Sequence, residues 1–247
     1  MNNSVNTEVP DGPSTRGLAL IIGAGGGLGV ALVAQLEGDA GYAQVLGLGR
    51  HTEVPVDYFD ESSLAAAARH VAAICSASEL ELRLLVVTTG FLHGEQGQPE
   101  RSWAHLDADY LHHVFKINTL GPALVMKHFL PLFPKHGRCV AGFMSAKVGS
   151  IGDNALGGWY GYRASKAALN QLVKTASIEL TRRNRQSICV ALHPGTVDTS
   201  LSQPFAKTGL KVRLAPEAVV DLMSVIHALE PEDTGCLLDY LGQKLPF

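Results

Sequence analysis

Along the chain, short apolar runs alternate with longer stretches in which apolar residues recur every three to four positions. The runs at 18–22, 45–48, 84–88, 138–144, 187–193 and 235–241 read as strands, with 53–57 a weaker one. The stretches 27–36, 61–75, 160–183 and 216–229 read as helices, and 107–133 holds two more that join near 118–122. The strands are apolar at nearly every residue, as expected of strands covered on both faces. This strand–helix alternation predicts a doubly wound α/β fold, a mostly parallel sheet with helices on both faces. It continues to the C-terminus without a repeat or a linker, so residues 17–247 are expected to form one domain. Residues 1–16 are polar, with Pro10, Gly12 and Pro13, and are expected to be a flexible tail.

Composition narrows the function classes. Of 247 residues, 46% are hydrophobic and 17% charged, which suits a buried core and excludes a disordered chain. The net charge of −3 and the absence of a basic stripe argue against nucleic acid. Arg182, Arg183 and Arg185 sit where a helix C-terminus favours cations. No stretch reaches the roughly 18 apolar residues of a membrane span. The four cysteines are far apart, with no C-x-x-C, and read as buried reduced thiols. With no secretory-type leader, a cytoplasmic location is the expectation. The ten histidines show no metal-ligand spacing, so no metal is expected. His93 and His193 fall near strand ends, where either could line a substrate pocket. Trp103 and Trp159 read as packing residues.

The first strand runs into Gly23-Ala24-Gly25-Gly26-Gly27-Leu28-Gly29 and then a helix. Glycines there permit positive φ and let backbone N–H groups approach a pyrophosphate, to which the helix offers its positive end. The spacing is G-x-x-x-G-x-G rather than G-x-G-x-x-G. After the second strand comes Gly49-Arg50-His51, with no acidic residue to bond the ribose hydroxyls of NAD. Arg50 could pair with a 2′-phosphate instead, which favours NADP(H) and leaves NAD(H) possible.

In Tyr162-Arg163-Ala164-Ser165-Lys166, the tyrosine and lysine stand four apart on one helix face. A neighbouring ammonium would lower the phenol pKa from about 10 and fit it for proton exchange with a carbonyl oxygen.

Taken in order, these motifs resemble the short-chain dehydrogenase/reductase family, with its single Rossmann-type domain, from about residue 18 to 247. The glycine loop follows that family's T-G-x-x-x-G-x-G, with Ile22 in place of the threonine. Asp57 falls where its adenine-contacting aspartate lies. Val87-Thr88-Thr89-Gly90 stands for N-N-A-G and keeps only the glycine. Asn118 matches the helix asparagine of the proton relay, and Tyr162 with Lys166 the catalytic pair. Pro194-Gly195-Thr196-Val197-Asp198-Thr199 resembles the P-G-x-V-x-T segment that holds the nicotinamide. The phrases around Thr89–Gly90, Gly157–Tyr160, Tyr162–Asn170 and His193–Thr199 are most similar to C-factor-like members. One position departs from the family. Its catalytic serine stands three residues before a glycine; counted from Gly149, that place is Ala146, and Ser145 one residue earlier is taken for the role.

The resemblance implies an oxidoreductase transferring hydride between NAD(P)H and a carbonyl or alcohol. Its catalytic residues are Tyr162, Lys166, Ser145 and Asn118. Its cofactor residues are Gly23, Gly27, Leu28, Gly29, Arg50, Asp57, Tyr58, Thr89, Gly90, Tyr162, Lys166, Pro194, Gly195, Val197 and Thr199. The segment 199–214 is expected to cover a pocket for a small substrate. A homodimer or homotetramer is implied through helices in 107–133 and 160–183, with Leu120, Leu124, Leu169, Leu172 and Ile178 supplying apolar surface. The rival reading is a C-factor-like signalling or regulatory protein that binds cofactor and turns over little.

Overall fold

The computed structural model describes residues 17–203 and 212–247. Seven strands form the main sheet in the order β2-β1-β3-β4-β5-β8-β9. They are β1 (Gly17–Ile22), β2 (Gln44–Leu48), β3 (Glu81–Val87), β4 (Cys139–Met144), β5 (Ser187–His193), β8 (Leu237–Asp239) and β9 (Lys244–Leu245). All pairs are parallel except β8 with β9. A separate two-stranded ribbon pairs β6 (Thr196–Val197) with β7 (Val212–Arg213). This is the expected doubly wound Rossmann-type sheet.

Alternate residues of each strand feed two cores. Leu18, Leu20 and Ile22 of β1 enter one, beneath α2 (Glu61–Ala77), α4 (Gly121–Phe129) and α5 (Tyr160–Arg183). Ala19 and Ile21 enter the other, beneath α1 (Gly27–Glu37) and α6 (Ala215–Ala228). That two-sided burial explains the near-continuous apolar runs. Asp60 caps α2 by accepting from the Ser62 N–H at 2.9 Å. Asp107 caps α3 (Ala108–Phe115) through the Tyr110 N–H at 2.8 Å.

The weak strand expected at 53–57 does not form. The Thr52 hydroxyl donates to the Gly49 and Val54 carbonyls, both at 2.8 Å, and the Val56 N–H turns back to the Gly49 carbonyl. Local side-chain bonds and Pro55 compete with a ladder there. The two helices of 107–133 are joined without a break by one π-helical turn, Lys116–Leu120. Pro122 carries no N–H, so the Asn118 carbonyl has no α-helical donor, and the wider turn absorbs the misfit.

The strand order places β2 and β3 on opposite sides of β1. A crevice opens where the winding reverses, beyond the carboxyl ends of β1 and β3.

Candidate active site

The crevice is a cleft of about 910 Å³. Every residue expected to bind or react lines it except Gly29 and Asn118.

At one end lies the glycine loop. Gly23 has φ +92° and gives its N–H to the Leu48 carbonyl at 2.8 Å. The Thr88 hydroxyl donates to the Gly23 carbonyl at 3.0 Å. The loop delivers the chain into α1, whose first turn has no side-chain cap. Gly25, Gly26, Gly27 and Leu28 face the cleft, and a β-carbon on Gly25 would meet nothing within 4 Å. An uncapped helix end open to a cleft is a fit for a phosphate group. Gly29 has a different part. It is buried, and a β-carbon there would overlap the Gly23 carbonyl oxygen, so its lack of a side chain serves helix–strand packing. Arg50 is exposed at the rim, and its charge helps to hold His113 below the usual imidazole range, after burial.

The middle of the cleft is braced by side chains. Asp57 accepts the Phe59 N–H at 2.9 Å. Tyr58 is buried, its ring against Gly121 and its hydroxyl 2.8 Å from that of Thr89. Thr88 and Thr89 thus supply hydrogen bonds in the loop that departs from N-N-A-G. A β-carbon on Gly90 would lie 3.8 Å from both Asn118 Oδ1 and Lys166 Nζ, so the Gly90 backbone runs between them. Asn118 is fully buried behind the cleft wall. It accepts the Phe91 N–H at 2.8 Å, donates to the Phe91 carbonyl at 2.8 Å, and donates to Ser165 Oγ at 3.1 Å.

At the other end, α5 presents Tyr162 and Lys166, both nearly buried. Lys166 Nζ donates to the Met144 carbonyl at 2.8 Å and stands 5.8 Å from the centre of the Tyr162 ring. Burial lowers the ammonium to about 8. It also pushes the Tyr162 phenol up to about 12. The expectation that the lysine lowers this phenol is therefore corrected: desolvation by burial governs the phenol and raises it. Ser145 lines the cleft, but its hydroxyl donates to Asn170 Oδ1 at 2.7 Å. Ala146 packs with Leu92 on Tyr162, and Val148, Trp159 and Leu201 complete this apolar wall. Trp159 stands edge-on to Tyr162 at 6.1 Å. Thr199 reaches back across the cleft, its methyl 2.9 Å from where a Gly27 β-carbon would be. His193 lines the cleft as anticipated, driven by burial to about 4. His93 does not line the cleft; its ring nitrogen Nε2 lies 2.9 Å from the Ser200 carbonyl. Of the anticipated cover, Pro204, Phe205, Lys207 and Gly209 lie outside the described residues. Among the described residues no group of histidine, cysteine or acidic side chains could hold a metal ion, and no helix is long and apolar enough to cross a membrane.

A family model described as enoyl-(acyl carrier protein) reductase matches residues 24–233. The chain belongs to that family and is a short-chain dehydrogenase/reductase, an NAD(P)-dependent oxidoreductase by class. It is similar to the C-signal of Myxococcus xanthus, 36% identical over 148 residues, which are 59% of this chain and 85% of that protein. The fold is that of the carbonyl reductase Sniffer of D. melanogaster, at TM-score 0.81 and 23% identity, covering 94% of this chain and 99% of the other. A short-chain dehydrogenase/reductase from Burkholderia multivorans with bound NADP aligns at TM-score 0.75 and 25% identity, covering 94% and 100%.

Proposed function

We propose that this chain reduces, or in reverse forms, the carbonyl group of a small molecule, with NADP(H) favoured over NAD(H). One observation carries the reading: buried Tyr162 and Lys166 open into the same cleft as the uncapped first turn of α1. The nicotinamide, when bound, exchanges hydride with the carbonyl carbon. Gly23, Gly27 and Leu28 would hold the pyrophosphate, Arg50 a 2′-phosphate, and Asp57 with Tyr58 the adenosine side. Thr89, Gly90, Pro194, Gly195, Val197 and Thr199 would hold the nicotinamide half. The bound NADP of the Burkholderia relative supports this preference.

Tyr162 gives its proton to the carbonyl oxygen in reduction and takes one in oxidation. Lys166 keeps a positive charge beside it and, by family likeness, bonds the nicotinamide ribose. Asn118 sits in the π-helical turn, where Pro122 removes the α-helical donor to its carbonyl, and by family likeness holds a water linking Lys166 to solvent. Ser145 orients the carbonyl from the cleft wall, its hydroxyl turning to the substrate from Asn170 at 2.7 Å. Residues 17–247 act as one domain, in the cytoplasm. Leu120 and Ile178 are half exposed, Leu124 and Leu172 partly buried and Leu169 fully buried, so the first two are left for a second copy. Light scattering at micromolar concentration should give a dimer or tetramer; monomer alone contradicts that part.

Two observations favour the signalling alternative: Ala146 in the serine position, and the likeness to a protein named C-signal. A panel of aldehydes and ketones with NADPH decides between them. Turnover of at least one supports the enzyme. Tight NADPH binding with no turnover across the panel supports the alternative.

A further inference from the structure

Helix α5 starts without a cap of its own. Trp159 at its N-cap has φ 54°, in the left-handed region, and gives no side-chain bond to the first turn. A bulky residue stays in that conformation only where its surroundings hold it. Here they do. Glu100 comes from the segment between β3 and α3, 61 residues before Gly161, and is 2% exposed. Its carbonyl accepts the Trp159 N–H at 2.6 Å, and both its carboxylate oxygens lie 3.1 Å from the Gly161 nitrogen. The approach is close: a β-carbon on Gly161 would stand 3.0 Å from Glu100 Oε1 and 3.0 Å from Leu111 Cδ2, so these side chains would have to give by a few tenths of an ångström. From the other side Arg163 grips the incoming loop, donating to the carbonyls of Gly158 at 2.9 Å, Val148 at 3.2 Å and Gly157 at 3.2 Å. Next in the chain after Gly161 is Tyr162.

We propose that Glu100 is a positioning residue for Tyr162. Its carboxylate takes the Gly161 N–H, supplies the cap that α5 lacks, and so sets where Tyr162 stands in the cleft. A carboxylate at a helix N-terminus is favoured by the helix dipole, and a buried one is kept only with its hydrogen bonds made. A solvated surface acid would show neither the burial nor the two-oxygen contact. The activity part of this inference rests on Tyr162 being the acid/base; the structural part does not.

The test uses the full chain with Glu100 changed to Leu, Asp or Gln. Three readouts are taken: amide hydrogen exchange at Gly161–Arg163, NADPH affinity by fluorescence, and kcat on a turned-over carbonyl. In the parent, Gly161 is protected from exchange. Glu100→Leu loses that protection and lowers kcat by about 10–100-fold, the range expected when a reacting group is displaced by an ångström, with NADPH affinity unchanged. Glu100→Asp keeps the charge but is one methylene short, and behaves like Leu. Glu100→Gln keeps one acceptor and restores part of both protection and kcat. If the Leu variant does not fold, the Asp and Gln variants decide. Free exchange at Gly161 in the parent overturns the proposal. So does unchanged kcat in both Leu and Asp variants, or a loss of kcat matched by an equal loss of NADPH affinity, which marks a general folding role. Full activity in Tyr162→Phe would instead defeat the acid/base reading, and the exchange result would still judge Glu100.

Discussion

The two ends of the cleft are built from different material. The glycine-loop end is backbone: Gly23 at positive φ, a helix end without a cap, and Gly29 packed on the Gly23 carbonyl. The Tyr162 end is side chains brought from distant segments. Glu100 reaches Gly161, Ser145 reaches Asn170, Asn118 reaches Phe91, and Ala146 with Leu92 packs on Tyr162. On the proposed reading, backbone at the first end would recognise what nicotinamide cofactors share, and side chains at the second would decide which carbonyl fits and how fast it reacts. One end should therefore be sensitive to added atoms and the other to removed ones.

The largest break in that contrast is Lys166→Met. Turnover should fall by about 10²-fold or more, within the span expected for acid–base sites. Stability should not fall with it, because the ammonium is held at about 8 by burial, below its ordinary 10.5. With that sign, the folded parent binds fewer protons than the unfolded chain from pH 8 upward. Measured against Lys166→Met, the parent should therefore gain stability between pH 8 and about 10, while the buried thiols, which burial raises, pull the other way equally in both proteins. Denaturant midpoints of the two proteins across that range check it; a parent-minus-variant difference that does not change with pH means that Lys166 is not the group responsible.

Gly29→Ala tests the backbone end by adding one atom. With no room beside the Gly23 carbonyl, it should cost about 2–3 kcal/mol and weaken NADPH binding, as overpacking at a rigid backbone contact does. A variant as stable as the parent would mean that the loop can yield. The smallest effect is at the rim. Arg50→Ala should narrow the preference for NADPH over NADH by about tenfold, the worth of one charge-assisted contact. Equal affinities for the two cofactors in the parent would remove Arg50 from the account.

The same contrast decides how much was legible in the sequence. Glycine spacing, the strand runs and Tyr162–Lys166 are local patterns, so the sheet and the cofactor end could be read directly. The run at 53–57 misled because Thr52 bonds to local carbonyls, which no alternation of residue type records. Tyr58 read as a cofactor contact, yet its hydroxyl and ring also brace Thr89 and Gly121. Trp159 read as packing, and it does pack, though on Tyr162 in the wall of the cleft. Glu100 left no signal at all: a lone acid in a polar stretch resembles any surface residue until the fold brings it to Gly161. Ser145 could be placed near the site, but not its partner, because Asn170 lies 25 positions away.

The central claim is that Tyr162 carries the proton. Burial holds its phenol near 12, so the proton needed for reduction is present throughout the neutral range. Oxidation needs the phenolate and should quicken as pH rises toward that value. The most direct measurement is turnover of a reducible carbonyl by Tyr162→Phe beside the parent, at neutral pH with saturating NADPH. NADPH affinity should be unchanged and kcat should fall by about 10²–10⁴-fold. Parent-level turnover in Tyr162→Phe would contradict it.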